Sequence, residues 1–574
     1  MSPSAETNGT IPSRKLDVLI VGAGFGGLYQ LYVMRKQGYN CKCFRPRRAS
    51  LIDSLHQLTL MKLPRIWYWN CYPGARVDSH APLYEYSIEG LCKDWTWTER
   101  FPGGEELRQY FDYVDKRLDL SKDVELNTSV DAAEFDTKAS EWRVTLSTGE
   151  VIECKYFVLG TGFAAKNYVP DFKGMERFKG IMHLKGKKVA VIGTGASGVQ
   201  TIQEIGPEVG HLTVLQRTPN LCIPMRQRKL DPVVEAELKN QGEYEKIFKM
   251  RGSTFTGFEF EWIYTNAADA TEEEVRETYE RLWEMGGFNF WVGTYQDVLY
   301  NQEVNDGAYK FWAEKHRARI NDPRKRDLLA PLLENQPHAW GIKRPCLEQR
   351  YYEVYNQENV DLISVKENPI DTFTEKGILM SDGQELEFDV IILATGFDSQ
   401  TGGLVQIDIK GADGITLKDK WAKGAWTNLG MTTNGFPNMF ILYGLQGNPH
   451  TSLTLLSFVV VIDMITAPTA FANGPTLVEV QGDWISDAIN YCEKNNKKTI
   501  DSTALSEARW TEIVDDLWNA SLFRFTQGWY NGSNIPGKTK QALNYTGGVN
   551  KYMAEARRIA EAGYEGYVFD KVYV

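Results

Sequence analysis

The sequence predicts an α/β protein built from two Rossmann-like dinucleotide-binding units, the second carrying a helical insertion. Two observations predict the units: the glycine loops G-x-G-x-x-G at 22–27 and 193–198, each preceded by an apolar strand pattern and followed by apolar residues at helical spacing. A third, the charged and helix-patterned stretch 225–335, predicts the insertion.

Residues 15–21 read as a strand running into Gly22-Ala23-Gly24-Phe25-Gly26-Gly27, after which Leu28, Leu31 and Tyr32 mark one face of a helix. Residues 187–192 repeat the pattern into Gly193-Thr194-Gly195-Ala196-Ser197-Gly198, followed by Val199, Ile202 and Ile205. In such a loop the first glycine makes the turn, the second lets a pyrophosphate approach the backbone, and the third lets helix and strand pack closely. Cofactor-binding residues are therefore expected at Gly22, Gly24 and Gly27, and at Gly193, Gly195 and Gly198 with Ser197 between them. One such loop is weak support; two, each in strand-loop-helix context, are strong.

Strand patterns at 156–159 and 389–393 both end in Thr-Gly-Phe, at Thr161-Gly162-Phe163 and Thr395-Gly396-Phe397, as expected where the chain crosses between cofactor units. Within the insertion, Thr271-Glu272-Glu273-Glu274 is a capping box ahead of Val275, Tyr279, Leu282 and Trp283 on one face. Residues 549–562, ended by Gly563, form a last amphipathic helix. The expected division is 1–160 with 385–574 for a discontinuous first unit, and 161–384 for the second, with its helical insert at about 225–335.

A length of 574 residues exceeds one ordinary core and suits two or three packed units. A formal net charge of −11 argues against nucleic acid as a partner, since phosphate backbones are held by clustered Lys and Arg. Eight cysteines without a C-x-x-C pair, and seven scattered histidines, predict neither a structural metal nor a disulfide framework and fit a reducing cytoplasm. No signal peptide is expected from the polar residues 1–14, and no membrane span from 453–466, which is short and contains Asp463.

The residue after the second strand of each unit selects the ribose. An acid grips a 2′-hydroxyl, whereas Arg accommodates a 2′-phosphate. In the second unit 212–215 leads into Gln216-Arg217-Thr218, so NADPH is expected there, with Arg217 on the phosphate; an exposed loop Arg is the bland alternative. The first unit is expected to hold FAD, yet its second strand, 40–44, ends in Arg45 rather than an acid.

Three further segments resemble one family. Trp67-Tyr68-Trp69-Asn70-Cys71-Tyr72-Pro73-Gly74-Ala75-Arg76-Val77-Asp78 resembles the W-x4-[FY]-P-[GM]-x3-D core of the Baeyer-Villiger monooxygenase signature. Gly341-Ile342-Lys343-Arg344-Pro345 looks like the segment carrying that family's active-site Arg, and 529–538 is similar to its W-x-x-G-x-N-[IV]-P-G-K segment. With the glycine loops, the resemblance covers nearly the whole chain in the correct order.

The resemblance implies FAD and NADPH as cofactors, O2 and a small-molecule ketone as substrates, and an ester or lactone as product. It makes Arg344 the catalytic cation, stabilising negative charge on the oxygen donor and the carbonyl adduct, and Asp78 the carboxylate that orients it. It also implies cofactor contacts from Trp67, Tyr72, Asp78 and Thr218, from Lys343 as a second charge on the 2′-phosphate, and from Trp529 near the nicotinamide ribose. A capping Asp and a core Trp are the bland alternatives for Asp78 and Trp529. Oxygenation of nitrogen or sulfur, a flavin-linked reductase, and a chain unable to hold FAD remain open.

The sequence departs from the family pattern in three places. Residues 45–65 replace a short loop containing an acid and glycines; Leu184 and Lys188 stand where the fingerprint F-x-G-x3-H-x3-[FYW] has its His and aromatic; and an apolar stretch separates Tyr443-Gly444 from Ala467-Pro468-Thr469. Two translated introns and one skipped exon segment account for all three, as does divergence within the family; transcript sequencing across codons 45–65 separates the two explanations.

Overall fold

The computed structural model describes residues 14–46, 70–181, 183–445 and 471–573. Trp67 and most of two of the departures, 47–65 and 446–466, lie outside them.

Arg14–Val21 is the centre of an eight-stranded sheet, paired in parallel with Cys41–Phe44 on one side and Val151–Leu159 on the other. Its last four residues are all buried, because helix Phe25–Lys36 covers one face of the sheet while the other carries a second apolar layer around Leu19, Trp142 and Phe157. Beyond Val151–Leu159 the strands turn antiparallel through Glu141–Leu146 and Val130–Asp136. Two strands from far along the chain, Asp408–Lys410 and Met439–Ile441, complete the sheet and make this unit discontinuous.

The second unit is a four-stranded parallel sheet in the order Val360–Ser364, His211–Gln216, Lys188–Ile192, Val390–Leu393. The last strand corrects the boundary expected at 384/385. The apolar run 389–393 suits the interior of either sheet, and pairing of Val390 to Leu393 with Val189 to Ile192 puts it in the second. At the departure near 184 a turn with Gly186 at φ +71° leads into Lys188–Ile192, and Leu184 packs against the core.

The insertion carries helices Pro232–Asn240, Glu243–Met250, Glu272–Met285, Gln302–Arg317 and Pro323–Leu329. Asp231 and Asp322 cap two of them ahead of a proline, and Thr271 and Glu274 make both bonds of a capping box. At the far end of the chain Gly474–Lys494 packs on Phe25–Lys36, where Tyr29 Oη donates to Asp483 at 2.7 Å and Gln30 Nε2 to Ser486 Oγ at 3.0 Å. Helix Val549–Glu561 closes over it, ending before Gly563 at φ +72°.

A buried polar cluster fastens the insertion to the first unit. The Arg251 guanidinium donates to the carbonyls of Leu83 and Glu85, both at 3.0 Å, and to Glu479 Oε2 at 2.7 Å; Glu479 also accepts from Ser87 N and Oγ at 2.6 Å. The Glu85 carboxyl is sealed beside it, and burial pushes its pKa from 4.5 up to about 8 against the pull of Lys239 and Arg251. Raised pKa means the neutral acid is preferred, so the fold loses stability as pH climbs from about 4.5 through about 8. Glu85→Gln is therefore expected to match the parent chain near pH 5 and to melt at higher temperature at pH 8.5, for a gain on the order of 3–5 kcal/mol. A melting difference that does not change with pH would show that Glu85 is not the titrating group.

Candidate functional site

The two glycine loops have the same construction. Gly22 sits at φ +99°, and a Cβ there would lie 2.4 Å from Gly160 O; a Cβ on Gly27 would lie 1.7 Å from Gly22 O. Gly193 sits at φ +105°, with a Cβ 2.5 Å from Ala394 O, and a Cβ on Gly198 would lie 2.2 Å from Gly193 O. The middle glycines, Gly24 and Gly195, have nothing within 4 Å of that position. Both loops thus present an open face of backbone at a helix N-terminus, Phe25–Lys36 or Ala196–Ile205, which is the environment a pyrophosphate requires. Each first glycine also leans on the carbonyl of the residue just before a Thr-Gly-Phe turn, Gly160 or Ala394.

The signature segment joins the units. Gly74, at φ +78°, would place a Cβ 2.4 Å from Gln200 O in helix Ala196–Ile205, so only glycine permits this approach. Tyr72 Oη donates to Gln200 Oε1 at 2.8 Å and faces Ser197, and Gln200 Nε2 donates to Arg76 O at 3.0 Å.

Asp78, four residues on, reaches Arg344. Arg344 Nε donates to Asp78 Oδ2 at 2.6 Å and a terminal nitrogen donates to Oδ1 at 2.7 Å, a two-pronged ion pair across 266 residues of sequence. The other terminal nitrogen donates to Ala472 O at 3.2 Å, and the Arg344 backbone N–H to Tyr530 Oη at 3.0 Å. The guanidinium lies 4.6 Å from the ring centre of Phe288 and 5.9 Å from that of Trp291. Burial opposes its charge, but the Asp78 carboxylate outweighs burial and raises the Arg344 pKa above the ordinary value. The loop is held from below, Trp291 Nε1 donating to Gly341 O at 2.9 Å, while Gly341 at φ +72° leaves room where a Cβ would meet Trp291 at 3.0 Å. Tyr443, facing the same pair, has its phenol pushed up to about 12 by burial.

Trp529 joins an aromatic ladder, stacked on Phe163 at 5.8 Å and edge-on to Tyr530 at 4.3 Å. Thr194 Oγ1 donates to Thr218 O at 2.8 Å, drawing the turn after His211–Gln216 onto the second glycine loop. Arg217 is exposed in that turn. Lys343 is held down to about 8 by burial first, then by the nearby charges of Arg217 and Lys366.

Sequence reasoning missed the aromatic floor of Phe288 and Trp291 and the Ala472 carbonyl. The aromatic run at 288–291 was the one available signal, and it reads equally as core. At the first unit's ribose end the mismatch persists: the Arg45 backbone ends the strand, accepting from Thr128 N at 2.7 Å and donating to Glu125 O at 3.0 Å, and its buried side chain offers only donors. The pyrophosphate half of that site fits FAD; among the described residues Arg45 stands at the ribose end where an acid is expected. Among the described residues no cluster of His, Cys, Asp and Glu is placed to hold a metal, and no helix is long and apolar enough to cross a membrane.

Comparison with known proteins bears on this geometry. Residues 16–243 match the pyridine nucleotide-disulphide oxidoreductase family. The chain is 42% identical to cyclopentanone 1,2-monooxygenase of Comamonas sp. over 564 residues, covering 96% of each. It is 33% identical to a Baeyer-Villiger monooxygenase of Pseudooceanicola batsensis, covering 97% of this chain and 96% of that one. Its fold matches the crystal structure of OTEMO in complex with FAD and NADP with a TM-score of 0.86, at 31% identity, covering 97% of this chain and all of that one, 100%.

Proposed function

The chain belongs to the Baeyer-Villiger monooxygenase family, and on that premise we propose that it uses FAD, NADPH and O2 to insert one oxygen atom beside the carbonyl of a small-molecule ketone, giving an ester or lactone. The observation that carries the reading is the buried, two-pronged Arg344–Asp78 pair on its aromatic floor. Oxygenation of nitrogen or sulfur needs no fixed cation there, whereas oxygen insertion next to a carbonyl builds negative charge on oxygen that a fixed cation in a dry site stabilises.

FAD, when bound, takes electrons from NADPH and supplies activated oxygen. Gly22, Gly24 and Gly27 would hold its pyrophosphate, with Tyr72 and Asp78 contributed by the signature segment. Gly193, Gly195, Ser197 and Gly198 would hold that of NADPH, Arg217, Thr218 and Lys343 its 2′-phosphate end, and Trp529 its nicotinamide ribose. Arg344 holds negative charge on the ketone oxygen as it develops. Asp78 fixes the plane of the guanidinium and keeps it protonated, so the cation stands in position before the substrate arrives. Free thiols at Cys41, Cys43, Cys154 and Cys492 suit a reducing cytoplasm as the setting.

With FAD-loaded protein, NADPH, a panel of cyclic and open-chain ketones and 18O2, one labelled atom is expected in an ester or lactone product. Labelled N-oxides or S-oxides without any ester would favour the nitrogen or sulfur reading. NADPH oxidation without label in any organic product would favour a reductase.

A further inference from the structure

Strands Ile223–Pro224 and Leu347–Glu348 pair in parallel, Ile223 beside Leu347, and the ladder runs back one step where Ile223 N donates to Cys346 O at 2.9 Å. Cys222 and Cys346, the residues just ahead of the two strands, therefore stand side by side. Neighbouring strands lie about 4.8 Å apart, inside the span of about 4.4–6.8 Å between Cα atoms that a disulfide bridges. One side chain touches both sulfurs: Asn220 Nδ2 donates to Cys346 Sγ at 3.0 Å, and Asn220 Oδ1 accepts from Cys222 Sγ at 3.5 Å. Both thiols are free, and each is within hydrogen-bonding reach of the other.

The two differ in cover. Cys222 is fully enclosed, and burial pushes its thiol well above the ordinary range, whereas Cys346 keeps 9% of its surface open and faces Tyr72 in the seam between the units. An amide N–H aimed at the Cys346 sulfur favours the thiolate, which is the nucleophilic form. Asn220 Nδ2 also donates to Thr194 O at 3.1 Å, in the second glycine loop. We propose that Cys222 and Cys346 form an oxidisable dithiol that hydrogen peroxide closes to a disulfide, and that closure loosens nucleotide binding at the second glycine loop. The Cys346 sulfur attacks one peroxide oxygen; S–O forms, O–O breaks, and the hydroxide released takes the thiol proton as water. The Cys222 sulfur then attacks Cys346; S–S forms, S–O breaks, and the second hydroxide leaves with the Cys222 proton as water. The two thiols lose two protons and two electrons, and the peroxide becomes two waters. In the disulfide Cys222 has no S–H to give Asn220, and the Cys346 sulfur turns from the amide toward Cys222. Asn220 loses both sulfur partners, and its hold on Thr194 slackens. The chemistry of closure stands by itself; its effect on binding rests on the reading that the second unit holds NADPH.

The test treats the full, folded chain with a few equivalents of hydrogen peroxide, traps remaining thiols with N-ethylmaleimide and maps the unreduced digest by mass spectrometry. One cross-linked pair of peptides is expected, carrying Cys222 and Cys346, lighter by two hydrogens than the two thiol peptides and absent after dithiothreitol. By calorimetry the oxidised chain should bind NADP+ about 3- to 10-fold more weakly, as for the loss of one neutral hydrogen bond, and dithiothreitol should restore it. Cys222→Ser should stop at a Cys346 sulfenic acid that dimedone traps, and Cys346→Ser should give no cross-link and an NADP+ affinity that peroxide does not change. If either variant fails to fold, the parent's peptide map decides. A parent in which both thiols remain alkylatable after peroxide, or in which the exposed Cys71 is the oxidised residue, would overturn the proposal. A cross-link with unchanged NADP+ affinity would overturn the effect on the loop. A reduced parent that does not bind NADP+ would overturn the NADPH reading and that effect with it, and the peptide map alone would then decide the dithiol.

Discussion

Replacing Arg344 by alanine in FAD-loaded protein is expected to abolish ester formation while flavin reduction by NADPH stays measurable. The guanidinium is a buried positive charge paired with Asp78 and resting on Phe288, and an alanine leaves no cation in its place. Removing one preorganised donor to a developing oxyanion costs roughly 3–4 kcal/mol, or about 10²–10³ in rate, and removing a whole cation should cost at least that. Arg344→Lys should recover only part of the rate, because an ammonium cannot reproduce the two parallel bonds to Asp78 at 2.6 and 2.7 Å. The measurements are stopped-flow flavin reduction and 18O in the ester. Labelled ester at near the parent rate in Arg344→Ala would remove Arg344 from the chemistry.

The second large effect concerns flavin itself: the chain with residues 45–65 as they stand is expected to bind FAD weakly, to purify nearly colourless and to need added FAD for activity. The phosphate half of the first site is formed, with Gly24 open and Gly22 and Gly27 in close backbone contact. Among the described residues its ribose end carries Arg45, whose side chain has no acceptor atom, where two hydroxyls need one. Forgoing two charge-assisted bonds weakens binding by about 3–6 kcal/mol at the additive limit, roughly two to four powers of ten. A chain in which a short acidic, glycine-containing loop replaces 45–65, with the departures near 184 and 445–466 also returned to the family pattern, should purify yellow. Stoichiometric flavin in the visible spectrum of the unaltered protein would refute this and favour divergence over mis-splicing.

Flavin retention and oxygen chemistry depend on parts of the sequence that differ in how readily they are read. The glycine loops are legible because every constraint on them is local. A positive φ at Gly22 and Gly193, the open positions at Gly24 and Gly195, and the tight packing at Gly27 and Gly198 all arise within one strand-turn-helix unit. The Thr271 capping box is legible for the same reason. The run 389–393 is not assignable in this way, because an apolar strand carries no mark of which sheet it will join.

The amino-acid sequence by itself determined two dinucleotide folds, the absence of a ribose acid at Arg45, and, through its resemblance to a family, the choice of Arg344 and Asp78 as paired candidates. Only the tertiary structure decided that Val390–Leu393 pairs with Lys188–Ile192, and that Phe288, Trp291 and the Ala472 carbonyl surround Arg344. The physical reason is range. Backbone dihedrals and strand or helix periodicity act over a few residues, whereas the field at Arg344 is set by segments as much as 266 positions apart that meet only when both sheets and the insertion have packed.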